Sequence, residues 1–284
     1  MKKVELISYR SDGEVFEYES GDWRITGLDG LDFPTVEISQ KPQGLGHGSI
    51  ITGKRKHSRD IIIKARSQDA GKNEIDRARA LAFHNSNYTY DLKIEYMGQI
   101  RYALDCELEA AKCGSANVYT ALELTVNYLS PEADLFGATT ENTIFKNTAP
   151  LWHWTRVYTE GGSLAFGVTE ITTSKVIYYT GSEPAPLVVT VVANGYVPGL
   201  VISCRGVVIT LNEAMVSGDR MVIDAGENII RKNGVKVAEK KYNAVDLIKL
   251  NIQFGDNVVE VKSTAAGNTA FETDVQFIGR YGGI

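Results

Sequence analysis

Apolar and polar residues alternate with a period of two over three consecutive stretches in the first half of the chain. Leu92, Ile94 and Tyr96 form the first run, and Met97-Gly98-Gln99 turns the chain. Ile100, Tyr102, Leu104, Cys106 and Leu108 form the second, and Leu122, Leu124, Val126 and Tyr128 the third. Such a pattern predicts an antiparallel meander with one buried and one wetted face. Upstream, Val4, Leu6, Val15, Phe16 and Tyr18 flank Ser11-Asp12-Gly13 and predict a hairpin. Val36 and Ile38 alternate in a strand over Thr35 to Ser39, and Ile61-Ile62-Ile63 reads as a buried strand. Between them, Lys41 to Arg59 is rich in glycine and basic residues and poor in apolar ones, so a long loop is expected. One helix is predicted over Asn73 to His84, with Ile75, Ala78, Leu81 and Ala82 on one face and Glu74 and Asp76 in its first turn. Asp69 or Asn73 supplies its cap.

The pattern breaks over Leu129 to Pro150, which contains Pro131, Gly137 and a polar Thr-Thr-Glu-Asn-Thr stretch. A domain boundary is expected there, with an N-terminal domain over 1–130, a linker over 131–150 and a C-terminal domain over 151–284. The second half reads as short strands separated by glycine turns. They are Ser163 to Phe166, Lys175 to Tyr179, Leu187 to Ala193, Leu200 to Ser203, Val207 to Leu211, Arg220 to Asp224, Asn257 to Lys262 and Phe271 to Ile278. Asn233-Gly234 is a strong hairpin signal within this series. Many short strands at this spacing predict a β-sandwich or jelly roll. The fold class is therefore mainly β, with one short helix in the first domain.

Composition narrows the function without naming it. With 284 residues, 43% of them hydrophobic, the chain has enough apolar surface for two ordinary cores. The formal charge of -5 argues against a protein that coats nucleic acid with its whole surface. The first fifteen residues are interrupted by Glu5, Arg10, Asp12 and Glu14, so no signal-peptide core is expected, and no apolar run reaches bilayer-spanning length. The cysteines, Cys106, Cys113 and Cys204, are few and lack metal spacing, as in proteins made in a reducing cytoplasm.

Catalytic motifs are not found. Gly44-Leu45-Gly46-His47-Gly48-Ser49 has neither the order of a nucleophile elbow nor the ending of a phosphate loop. The histidines, His47, His57, His84 and His153, are not paired at ligand spacing, so no metal or cofactor is expected. Two clusters remain. The basic residues Lys54, Arg55, Lys56, His57 and Arg59 suit either a solvated loop or a contact with a partner subunit. No aromatics are interleaved with them, which disfavours single-stranded nucleic acid. The aromatics Trp152 and Trp154, flanking His153, suit an interface, or a sugar-stacking site in which Tyr196 is a further candidate.

Several segments taken in order resemble the distal tail protein (Dit) family of siphophages. They are Ile25-Thr26-Gly27-Leu28-Asp29-Gly30-Leu31-Asp32-Phe33-Pro34, the helix Asn73 to Leu81 before the meander, and the proline-containing exit Asn127-Tyr128-Leu129-Ser130-Pro131-Glu132-Ala133-Asp134-Leu135-Phe136. Further on come Ser217-Gly218-Asp219-Arg220-Met221-Val222-Ile223-Asp224, the turn Phe254-Gly255-Asp256-Asn257-Val258-Val259, and the ending Phe277-Ile278-Gly279-Arg280-Tyr281-Gly282-Gly283-Ile284.

The resemblance implies a structural virion protein without catalytic activity. Its first domain would form a belt in a hexameric ring around a central channel, and its second would be a galectin-like sandwich. The ring would join the tail tube protein to the tail-tip hub protein and to receptor-binding proteins. The virion tail tip, of a phage or a prophage, would be its location, after assembly in the cytoplasm of the bacterial host. In that setting the Lys41 to Arg59 loop would be an intersubunit arm. The alternative is a carbohydrate-binding protein directed at host cell-wall saccharides.

Overall fold

Strands dominate because apolar residues fall on alternate positions and turn residues fall between them. The computed structural model describes residues 4–284 apart from 20, 45–46, 116–119, 151–166, 172 and 268, and describes 146–150 and 167–171 through their backbone. The chain divides into two compact units, Met1–Ala138 with Arg280–Ile284, and Thr139–Gly279. The division falls inside the segment expected as a linker.

In the first unit, β1 (Glu5–Arg10) and β2 (Val15–Glu17) form the expected hairpin, with Gly13 at φ 94° in its turn. β3 (Trp23–Asp29) follows, then β4 (Val36–Pro42), β5 (Ser49–Lys56) and β6 (Arg59–Ser67). After α1 (Asn73–Phe83) come β7 (Thr89–Tyr96), β8 (Gln99–Gly114), β9 (Glu123–Ser130) and β10 (Leu135–Ile144). The antiparallel order is β2-β1-β7-β8-β9-β6-β3, so the expected meander β7-β8-β9 forms the centre of the sheet. Its first turn, Met97-Gly98, has both residues at positive φ, as a two-residue hairpin requires. The core gathers Leu6, Tyr18, Trp23, Ile61, Ile63, Tyr90, Leu92, Ile94, Val126 and Tyr128.

Three local expectations differ from the structure. Along β8 the buried residues are Ala103, Cys106 and Cys113, so the alternation changes phase. Asp105, at φ 52°, is an extra residue where the register with β7 shifts, and a second shift with β9 lies between Leu108 and Ala110. Each bulge turns the following side chains to the other face. Helix α1 packs through Asp76, Ala80 and Phe83, while Ile75 is 71% exposed. The inward face follows the Ser67 Oγ–H donating to the Asp76 carboxylate at 3.3 Å, and Phe83 stacking among Phe16, His84 and Tyr90. Asp69 caps a preceding 3-10 turn by accepting from the Gly71 N–H. Finally, segment 131–150 is mostly strand. Only Leu135 is buried in the described part of β10, so there is no buried face to produce alternation.

The second unit continues through β11 (Lys146–Pro150), β12 (Gly167–Ile171), β13 (Ser174–Tyr179), β14 (Ala185–Pro186), β15 (Val188–Ala193), β16 (Leu200–Cys204) and β17 (Val207–Leu211). β18 (Arg220–Asp224), β19 (Ile229–Lys232) and β20 (Val235–Lys236) precede a short helix α2 (Ala244–Leu247). The last strands are β21 (Asn251–Ile252), β22 (Gly255–Ser263) and β23 (Phe271–Tyr281). Two antiparallel sheets, β23-β15-β18-β19-β20 and β13-β22-β16-β17, face one another across one core. Val189, Val191, Met221, Ile223 and Val275 come from the first sheet, and Ile177, Ile202, Ile209, Val259 and Val261 from the second. This is the expected β-sandwich. The expected strand over Ser163 to Phe166 lies outside the described residues.

Candidate assembly surface

The segment expected as a long loop is a hairpin. β4 and β5 pair from Val36↔Lys56 to Pro42↔Ser49, with a bulge between Ser39 and Gln40. The Gln43 N–H donates to the Gly48 carbonyl near the tip. No residue of either strand is buried. Val36, Ile38, Ile50 and Ile51 are each 42–56% exposed, so the hairpin carries four β-branched apolar side chains outside any core. Cross-strand pairing puts Val36 opposite Lys56 and Ile38 opposite Lys54, so apolar and cationic groups share one face.

The basic cluster divides between the surface and the base of this hairpin. Lys54, Arg55 and His57 are exposed, with Glu37 Oε2 at 3.5 Å from His57 Nε2. Lys56 is half-buried and pairs with Asp134 at 2.7 Å. Arg59 is not in a loop at all: it opens β6 and is buried. Its guanidinium donates to four backbone carbonyls, those of Ala133 (2.9 Å), Gly30 (2.7 Å), Asp32 (2.6 Å) and Gly282 (2.6 Å). Burial pushes the Arg59 guanidinium below its ordinary pKa, while Asp134 and Asp32 work in the opposite direction. Arg59 thus ties the turn before β4, the turn before β10 and the chain end into one junction.

The surrounding backbone is built for that junction. Gly30 has φ 88°, and a Cβ there would stand 1.9 Å from the Asp60 carbonyl oxygen. A Cβ on Gly283 would meet the Leu31 carbonyl oxygen at 3.0 Å. The Ile284 N–H donates to that same carbonyl. Arg280 pairs with Glu132, and Arg101 lies over the Tyr281 ring, 3.6 Å from its centroid. Three sequence segments singled out separately, Ile25 to Pro34, the proline-containing exit and the final residues, are therefore neighbours around one arginine.

The motifs of the second unit are turn-forming devices. Asp219 accepts from the Val216 N–H, Lys232 and the Asn233 side chain, and these hold its carboxyl down to about 2. Asn233 in turn accepts from the Arg220 N–H, so Gly-Asp and Asn-Gly brace one another across β18 and β19. Asn257 is fully buried. Its side-chain amide donates to the Gln253 and Gly255 carbonyls and accepts from the Gln253 N–H, fixing the turn before β22.

None of the three cysteines resembles an activated nucleophile. The three cysteines are buried, and burial pushes their thiols up, Cys106 to about 12. Among the described residues no helix is long and apolar enough to cross a membrane. Trp152 and Trp154 lie outside the described residues, and Tyr196 is 63% exposed.

No protein-family model matches the sequence, and no curated protein matches it. Solved structures do. The Dit protein (gp 19.1) of SPP1, described as a paradigm of hub adsorption apparatus in phages infecting Gram-positive hosts, is similar over 98% of this chain and 99% of that chain. The TM-score is 0.65 at 11% identity. The chain has the Dit fold. Two baseplate structures of phage P2 in its activated conformation also match, one with Ca at a TM-score of 0.46 and 8% identity over 98% of each chain. The other, with Sr, has a TM-score of 0.44 at 9% identity over 97% of this chain and 98% of that chain. The Dit fold here includes both units, since the match to the SPP1 protein runs through nearly the whole of each chain.

Proposed function

We propose that this chain is a structural, non-catalytic component of a phage or prophage tail tip. Six copies form a ring that joins the tail tube to the tail-tip hub and carries receptor-binding proteins, after assembly in the host cytoplasm. The observation that carries this reading is the full-length likeness in fold to the SPP1 Dit protein. The β4-β5 hairpin supports it. An exposed two-stranded ribbon with Val36, Ile38, Lys54 and Arg55 outside any core is marginal on its own and gains stability by lying on a neighbour. Head-to-tail contacts of this kind close into rings when the rotation between copies permits.

In this arrangement the exposed residues Lys54, Arg55 and His57 meet the adjacent copy. Arg59 and Lys56 hold the base of the hairpin. The test is assembly of the Ile38→Asp/Arg55→Glu double variant. It should keep the circular dichroism and melting profile of the unmodified chain yet lose the ring, appearing at monomer mass. A double variant that assembles as well as the unmodified chain contradicts the role given to the hairpin.

A further inference from the structure

The outward face of the first unit's sheet sorts its charges into two strips. Ile61, Ile63 and Ala65 of β6 and Leu124, Val126 and Tyr128 of β9 point into the core, so the residues between them point outward. The register lays those outward residues out in rows. At one end Arg24 lies opposite Arg66, and Lys64 and Lys112 flank Thr125. Next comes a neutral row of Ile62, Asn127 and Ala110, all half-buried. Beyond it Asp60 and Glu107 flank Leu129, and Asp91 follows on β7.

Two bulges enrich the acidic strip. The residues that β8 carries in excess of its neighbours are Asp105, against β7, and Glu109, against β9. Both are exposed carboxylates that an unbroken ladder would not place there. Asp91 Oδ1 accepts from the Asp105 N–H at 2.9 Å, and Glu109 Oε2 from the Asn127 side chain at 2.6 Å, which fixes both bulges to this face.

Such sorting is unfavourable within one copy. Arg24 and Arg66 are directly opposed like charges, which weakens a strand pair. Among the described residues neither they nor Lys112 has an ion-pair partner, and Lys64 reaches only Asp29, at 3.9 Å. Glu123, opposite Arg66, and half-buried Lys93, beyond Asp91, lower the charge of their strips without cancelling it. Nor do the strips neutralise one another. Asp60 and Lys64 are separated by four residues' rise along β6, about 13 Å. Physiological salt screens exposed charges over roughly 8 Å.

We infer that this face docks on a second copy of the chain with the charges crossed, the basic strip of one against the acidic strip of the other. Charge complementarity identifies the occupant. The same chain offers both signs, at matched spacing, on either side of a neutral row. A polyanion laid on this face meets the acidic strip and a polycation the basic one, whereas a crossed copy satisfies both. The contact rests on the proposed self-assembly and is separate from that of the β4-β5 hairpin.

The experiment is sedimentation velocity on two double variants of the full chain. Lys64→Glu/Lys112→Glu puts carboxylates into the basic strip, and Glu107→Lys/Glu109→Lys puts cations into the acidic strip. Each alone should self-associate about tenfold more weakly than the unmodified chain, or less, because like charges then oppose. An equal mixture of the two should recover association, and added salt should weaken it in the mixture and in the unmodified chain alike. Circular dichroism of each variant separates lost binding from lost folding. Either variant associating as strongly as the unmodified chain overturns the inference, and so does a mixture in which the two do not bind. Should the unmodified chain stay monomeric, the ring reading fails on its own, while binding between the two variants still decides this contact.

Discussion

Arg59 shows how one residue carries the architecture of the first unit. Its guanidinium serves four carbonyls that no neutral side chain of similar size satisfies. Leaving buried carbonyls without donors costs roughly 1–3 kcal/mol each before relaxation. Arg59→Met should therefore lower unfolding free energy by about 3 kcal/mol or more in chemical denaturation, whereas Arg55→Met should change it by less than about 0.5 kcal/mol. In the sequence the two arginines are alike, both in a basic run, because nothing local tells a buried arginine from an exposed one; the carbonyls it serves come from residues 30, 32, 133 and 282. His84 gives a second prediction at this scale. Its Nδ1–H donates to the Ala80 carbonyl, so Nε2 accepts from the Tyr18 hydroxyl, which accepts from Tyr128, which accepts from Ser8. That chain holds only for neutral imidazole. Burial lowers the His84 pKa from 6.5 to about 4, with nearby Arg10 adding to it. As pH falls from 6.5 toward 4 the unfolded chain takes up the proton first. Stability fully present above pH 6.5 is therefore lost across that window, by about 3 kcal/mol in total. Denaturation midpoints followed from pH 7 to pH 4 should show the slope in the unmodified chain and a flatter one in His84→Gln.

At the scale of elements, what the sequence makes legible is whatever has one buried face. The meander β7-β8-β9 and the sandwich strands β13, β15, β16, β17, β18, β22 and β23 alternate because one side of each sheet meets a core. β4 and β5 do not, since both faces stand in solvent, and a ribbon without a core reads as a loop. β8 is legible as a strand but not in phase, because the residue at Asp105 that shifts its register carries no sequence mark beyond an aspartate. The same difference sets local stability. Backbone amides of β4 and β5 in the unassembled chain should exchange with solvent orders of magnitude faster than those of β7 and β9, and should gain protection on assembly. Equal protection in the two states would place the ring contact elsewhere.

For the whole molecule, the order of short motifs along the chain is legible as a Dit-like arrangement, and the SPP1 structure shares that fold despite 11% identity. The return of Arg280–Ile284 to the first unit is not legible, because five residues rich in glycine have no periodicity to read. Physically it is held by Arg59 on Gly282 and by Leu31 on Ile284, contacts that join chain positions more than two hundred residues apart. The central claim, a ring of copies, is tested most directly by the solution mass from light scattering with negative-stain images of the same sample. Six copies of the 31.2 kDa chain predict a particle of about 190 kDa with six-fold symmetry and a central channel. A monomer at high concentration that stays monomeric in the presence of tail-tube and tail-hub proteins would contradict it.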